Sequence, residues 1–450
     1  MTPTLTDNIL VIFYFLLWAL ALFLYHKKNR QLDAGSAIMI TYVLYAFFSI
    51  LTLNNPIFYL DYYDFNHLTL FPFIYLFIML VIALSPAIMY HFHPASQIET
   101  PNTNIFYLIA IISILSALFL LPGIFANLGD GLIKLMTDMD AGKDAYEEQL
   151  GNASESGGGI TNIPAIIFNA LSEISIFTFF YFLTLKKKNV WLLSGLLVSI
   201  AVSVLLPIMS GQRGPVIYTI LTVFLGYMFF KQFLSETIKK VVRYVGVIGV
   251  AITFLPIVAI TVSRFSAMKQ STVTDYINWY IGQGNLYFNN YGLDDNGIRY
   301  GDRTFNLAKR IISSDASQNY LDRRSTYGSL YVNDDVFTTF VGDFTIDFGP
   351  IVAFLIFVIF NAWVLYNTRV KRDKLKIQQA LLLYFTMCIC MQGGMTLFSF
   401  SDTANLKMIC FALLYVYLVL YETILAKYPN QLVIVKPAGI QFPKRKIIVK

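Results

Sequence analysis

Charge is scarce in this sequence. Asp, Glu, Lys and Arg make up 13% of its 450 residues against 56% hydrophobic ones, and the mean hydropathy is +0.60. A soluble fold of this length has no interior large enough to hide so much apolar side chain, which excludes a globule surrounded by water. Cysteine is scarce as well. Cys388, Cys390 and Cys410 all fall within apolar runs, so they give neither a disulfide framework nor a metal-ligand spacing and read as small packing residues. The four histidines are His26, His67, His91 and His93. Only His67 is predicted on the external side, which gives a His-based nucleophile relay little support. A Walker loop, His-Glu-x-x-His and Gly-x-Ser-x-Gly are all missing, and Asp294-Asp295-Asn296-Gly297 lacks the spacing of a calcium loop. Neither a metal nor a cofactor is expected, and no internal repeat or low-complexity tract is present.

Long apolar runs are what the sequence does have. Runs of about eighteen to twenty residues recur, each able to cross a hydrocarbon layer as a helix that satisfies its own backbone. The expected fold class is an all-α polytopic membrane protein of about 11 transmembrane helices. The predicted spans are 8–25, 36–53, 69–90, 104–122, 162–185, 190–208, 215–230, 244–263, 338–368, 377–399 and 405–426. With the N-terminus outside, 21 of the 33 Lys and Arg fall on the cytoplasmic side, as the positive-inside rule requires. The net charge of +6 is thus a matter of topology, and no nucleic-acid partner is expected. Four regions follow: a bundle over 1–263 with an external loop at 123–161, a large external loop over 264–337 between spans eight and nine, spans nine to eleven over 338–426, and a basic cytoplasmic tail over 427–450. Residues 132–150 are expected to rest on the membrane surface as a helix. The tail is expected to touch anionic headgroups, and Lys407 to reach the surface from the outer end of span eleven.

Chemistry is sought where charge meets the ends of spans. Gly211, Gln212, Arg213 and Gly214 precede Pro215 in a tight turn. Pro215 suits the first turn of the next helix, which places Arg213 at that helix's positive end. Arg213 reads either as an interfacial side chain reaching the headgroups or as an anion-binding group. The glycines and the cost of a guanidinium at membrane depth favour the second reading. Arg264 closes span eight, where an anchor at the interface is the plainer reading. The pairs Lys309-Arg310 and Arg323-Arg324 are either solvated or able to grip a pyrophosphate or an acidic sugar. Asp343 and Asp347 have the i,i+4 spacing of one helix face, with Phe344 and Phe348 on an adjacent face. These acids either complement a helix dipole or act as a base toward a hydroxyl. Glu173, deep in span five, is expected to pair within the bundle or to serve in catalysis.

The Ser-Gly-Gln-Arg-Gly turn, the Arg after the next span, the large loop and the run from Phe340 to Gly349 together resemble the bacterial oligosaccharide repeat-unit polymerases, the Wzy type that makes O-antigen and capsular polysaccharide. The resemblance implies an inner-membrane glycosyltransferase. It would move a growing glycan from undecaprenyl diphosphate to a lipid-linked repeat unit at the outer face. Arg213 and Arg264 would neutralise the departing pyrophosphate, which guanidinium groups can do without a metal. Asp343 would activate the acceptor hydroxyl, while Arg310, Arg323, Arg324 and Asp347 would line the substrate site. Tyr276, Trp279, Tyr280 and Tyr327 would stack on sugars or form an interfacial girdle. Implied partners are the lipid-linked oligosaccharide, membrane lipids, a chain-length regulator and a flippase. An O-antigen ligase shares the plan but typically carries a His in the large loop. A flippase or transporter would show paired broken helices and related halves, and a non-enzymatic scaffold would need none of the Arg residues.

Overall fold

The computed structural model describes residues 3–55, 67–100, 104–137, 163–209, 212–266, 272–293, 298–313, 338–370, 373–395 and 402–427, leaving aside the side chains of 128–137, 263–266, 402–403 and 425–427. The chain is an all-α membrane protein. Among the described residues, ten helices are long and apolar enough to cross a bilayer. In order the elements are α1 Leu5–Asn29, α2 Ala34–Leu53, α3 Leu70–Phe92, β1 Gln97–Glu99, α4 Asn104–Thr137, α5 Ile163–Thr184, α6 Val190–Met209, α7 Gly214–Phe230, α8 Glu236–Ser266, α9 Val273–Tyr291, α10 Asn306–Ile312, α11 Thr339–Phe348, α12 Pro350–Asn367, β2 Lys374–Lys376, α13 Ile377–Gln392 and α14 Asp402–Lys427. The first spans begin where the sequence supplies caps. Thr4 and Asp7 form a capping box on α1, as Asp33 and Ser36 do on α2. Arg30, with φ 52°, closes α1 in the left-handed region.

The structure departs from the predicted spans in three informative places. The ninth span is divided: α11 ends at Gly349, whose φ is 77°, and Pro350 starts α12. Glycine adopts that left-handed turn without a Cβ clash, and proline takes the first position of a new helix without losing a bond. The tenth span is the sixteen-residue α13, ended by Gly393-Gly394. A Cβ on Gly394 would sit 2.0 Å from the Tyr45 ring, so this end is wedged against α2. Finally, α4 runs unbroken to Thr137. The first part of the expected surface helix therefore continues a span, and 138–150 lie outside the described residues.

α13 is the innermost of these helices, buried along almost its whole length and packed against α2, α3, α7, α12 and α14. α8 lies at the periphery, contributing few buried residues. Within the expected external loop, α9 lies along α2. Ser49 donates to the Gly282 carbonyl at 2.8 Å, Thr52 to the Asn278 carbonyl at 2.7 Å, and Asn285 to Ser49 at 3.0 Å. The contact is close enough to require glycine: a Cβ on Gly282 would lie 2.3 Å from the Phe48 carbonyl oxygen. Gly282→Ala is accordingly expected to lower thermal stability in detergent by about 1–3 kcal/mol or more. Gly246→Ala on the peripheral α8, where a Cβ meets nothing within 4 Å, is expected to leave it unchanged or slightly raised. Equal melting of the two variants would refute this account of the α2–α9 contact. At the opposite end, β1 and β2 pair in parallel, Ile98 opposite Leu375, and tie the α3–α4 connection to the α12–α13 connection.

Candidate functional site

Buried charge concentrates between α11 and the turn 298–305. The two acids of the Phe340–Phe348 run lie on α11, and both are fully buried. Neither serves the dipole of its own helix, whose first turn carries no acid. Each instead engages the turn 298–305. Asp343 forms an ion pair with Nε of Arg303. Asp347 accepts the Arg303 N–H at 3.1 Å, the Thr304 N–H at 2.6 Å and the Thr304 hydroxyl at 2.7 Å. The i,i+4 spacing thus lets one helix face hold both the backbone and the guanidinium of Arg303. Phe344 and Phe348 supply the adjacent apolar face, packing on Phe305 with ring centroids 5.9 and 6.2 Å away.

The turn is shaped by the same contacts. Arg299 N–H donates to the Ile346 carbonyl at 3.2 Å and Tyr300 N–H to the Asp347 carbonyl at 2.8 Å, which gives carbonyls near the end of α11 partners. Tyr300 and Gly301 have φ of 51° and 83°, so the chain reverses through two consecutive left-handed residues. Arg299, Asp302 and Arg303 are all buried, and Lys309 of α10 pairs with Asp302. Two ion pairs, Arg303–Asp343 and Lys309–Asp302, therefore lie in the same turn as the buried Arg299. The start of α11 is held from α13: Thr339 and Phe340 donate to the carbonyls of Met395 and Gly393 at 2.7 and 2.9 Å.

Arg213 stands just before α7, as its N-cap. It is 5% exposed, and its guanidinium carbon lies 4.5 Å from the centroid of the Tyr280 ring, a cation–π arrangement that offsets some of the cost of burial. Gln212 N–H donates to the Pro207 carbonyl at 2.9 Å, which closes the tight turn, and Pro215 stands in the first turn of α7. A Cβ on Gly214 would meet nothing nearer than the Tyr280 hydroxyl at 4.0 Å. Tyr218, one turn along α7, lies within electrostatic reach of Tyr280 and Asp343. Two contacts thus stand out, Arg213 over Tyr280 and Arg303 on Asp343, with Tyr218 within electrostatic reach of Tyr280 and Asp343.

Other expected residues lie elsewhere. Arg264 is on the last turn of α8, its side chain outside the described residues. Arg310 is half-buried in the last turn of α10. Gly211, Arg323, Arg324 and Tyr327 are outside the described residues. Tyr276 is fully buried, so in this structure it presents no face for a sugar to stack on, while Trp279 is half-buried and packs against the core. Sequence reasoning did not single out Arg299, Asp302, Arg303 or Thr304. The signal was available as two Arg and an Asp within five residues around Tyr300-Gly301, but nothing local reveals that an acidic helix forty residues on receives them.

Glu173 has a separate partner. It is buried on α5 and binds Nζ of Lys407 on α14 at 2.9 Å, with the Ser172 hydroxyl donating to its other oxygen at 2.8 Å. Lys407 therefore turns into the bundle, where the sequence had it reaching outward, because a buried carboxylate within reach is a stronger partner than the distant headgroups. Among the described residues, no three His, Cys, Asp or Glu converge closely enough to hold a metal ion. No protein-family model, curated protein or solved structure matches the chain.

Proposed function

We propose that this protein is a bacterial inner-membrane glycosyltransferase of the repeat-unit polymerase kind, with its N-terminus outside and its C-terminus in the cytoplasm. It would transfer a growing glycan from undecaprenyl diphosphate to a lipid-linked repeat unit at the outer face. The observation that carries the reading is the set of buried charged groups itself, Arg213 buried against Tyr280 and the buried Asp343–Arg303 pair, with Tyr218 within electrostatic reach of Tyr280 and Asp343. A bundle that needed only to stand in lipid would gain little from burying so many charges at the ends of its spans. In the reaction the acceptor hydroxyl oxygen bonds to the donor's anomeric carbon. The anomeric bond to the diphosphate breaks, its electron pair leaves with the diphosphate, and the hydroxyl proton passes to Asp343. Arg213 and Arg264 meet the charge that grows on the leaving group. The lipid tail lies between spans and the glycan above them.

The test is a deletion strain complemented with wild type, Arg213→Ala or Arg213→Lys, with membrane levels of each matched. Both variants are expected to lose the polymer ladder while keeping single capped repeat units, because lysine lacks the planar face that stacks on Tyr280 and the fork that grips a diphosphate. Absence of repeat units at the outer face would indicate a flippase instead. A full ladder from both variants would defeat the assignment of Arg213.

A further inference from the structure

A cavity of about 500 Å³ opens at the end of the bundle opposite Arg213, lined by Phe92, His93 and Pro94 from the end of α3 and by Val370 and Asp373 from the connection after α12. We propose that it is a binding site for a phosphoethanolamine group, the headgroup of a zwitterionic phospholipid, which carries a phosphate and an ammonium together. The site is separate from the glycosyl-transfer reading and does not depend on it.

Backbone hydrogen bonds build the walls. Ser96 and Gln97 N–H donate to the Asp373 carbonyl at 2.9 and 3.3 Å, and the β1–β2 ladder continues from there with Gln97 opposite Lys374. Asp373 has φ of 56°, a left-handed turn that Asp tolerates better than most residues, and it leads the chain into β2. An acidic residue is thereby fixed at the cavity wall. The charges at the cavity are of both signs. Asp373 is exposed and supplies a carboxylate. The Lys28 ammonium lies 3.9 Å from the centroid of the Phe92 ring, which brings a cation beside a lining residue. His93 adds a ring N–H that can donate to a phosphate oxygen in either tautomer. A ligand with phosphate alone would meet Asp373 as a like charge, and one with an amine alone would meet Lys28. A phosphoethanolamine group gives each a partner of opposite sign. Depth agrees with a lipid. α1, α3 and α12 all end here, where apolar spans give way to headgroups, and Phe92, Pro94 and Val370 offer apolar surface to the glycerol end of the molecule.

The probes are phosphatidylethanolamine, phosphatidylglycerol and phosphatidylcholine in mixed micelles, and water-soluble phosphoethanolamine, each titrated onto the purified full-length protein. Wild type is expected to bind phosphatidylethanolamine severalfold more tightly than the other two lipids, since phosphatidylglycerol has no cation for Asp373 and the trimethylated amine of phosphatidylcholine has no N–H to donate to it. Asp373→Asn is expected to bind phosphatidylethanolamine about tenfold more weakly, as the loss of one charge-assisted contact implies, and to bind phosphatidylglycerol as well as wild type or better. Lys28→Gln should weaken both. Asparagine accepts the left-handed turn and both residues are exposed, so the melting temperature without added lipid should match wild type. Equal binding of the three lipids by wild type, parallel weakening of both lipids by Asp373→Asn, or unchanged binding in Lys28→Gln overturns the proposal. Binding of free phosphoethanolamine as tight as that of the lipid would keep the recognised group and make its source a soluble molecule; much weaker binding would assign it to the membrane.

Discussion

Replacing Asp343 by leucine is expected to reduce stability far more than the loss of one carboxylate suggests. The change strands Arg303, itself 5% exposed, in a site from which water is excluded. Removing one partner of a buried pair costs about 3–5 kcal/mol, because the remaining charge has lost its compensation. Arg303→Met alone is expected to be similarly damaging, since it leaves the buried Asp343 carboxylate without its cation. The double variant Arg303→Met/Asp343→Leu should recover most of the lost stability, with Phe305, Phe344 and Phe348 already providing an apolar surround. It should also make no polymer. Thermal unfolding in detergent, together with the ladder assay, separates the two consequences. If the double variant is as unstable as the sum of the singles, the pair does not interact in the way the geometry indicates.

The second large effect is expected at Glu173 and Lys407, and it should be asymmetric. Glu173 lies at the eleventh position of α5, about 15 Å along the helix from its start. Lys407→Met leaves a buried carboxylate there without its cation, and is expected to cost about 3–5 kcal/mol. Glu173→Gln leaves an ammonium on a long flexible stem. The Lys407 side chain is 21% exposed, so it can swing outward and regain solvation, and the loss should be smaller. Glu173→Leu/Lys407→Met should restore the packing of α5 against α14. Membrane level and melting temperature of the four proteins decide the matter. Equal damage from the two single changes would mean that Lys407 cannot leave the bundle.

How far the sequence reaches differs from one part of the chain to another. The spans were legible because each is a local property: a run of apolar residues must be a helix in lipid whatever surrounds it. Even the break at Gly349-Pro350 is written locally, although hydropathy smooths over it and the ninth span reads as continuous. The spacing of Asp343 and Asp347 was legible for the same reason, since i and i+4 share a helix face in any context. Their partners were not. Arg303 lies forty residues earlier in a stretch of mixed charge, and nothing in that stretch favours it over Arg323 or Arg324 until the 298–305 turn is seen against α11. Lys407 illustrates the converse. Its place near the end of an apolar run predicted an outward reach, and only the approach of α14 to α5 turned it toward Glu173.

The sequence by itself therefore determined that this protein lives in a bilayer, where most of its apolar spans run and which acids share a face, because those follow from the solvent and from helix geometry. The tertiary structure alone decided which charges meet. Pairing joins residues far apart in the chain, and its energy depends on burial and distance, quantities that exist only once α7, α9, α11 and the 298–305 turn have been brought together.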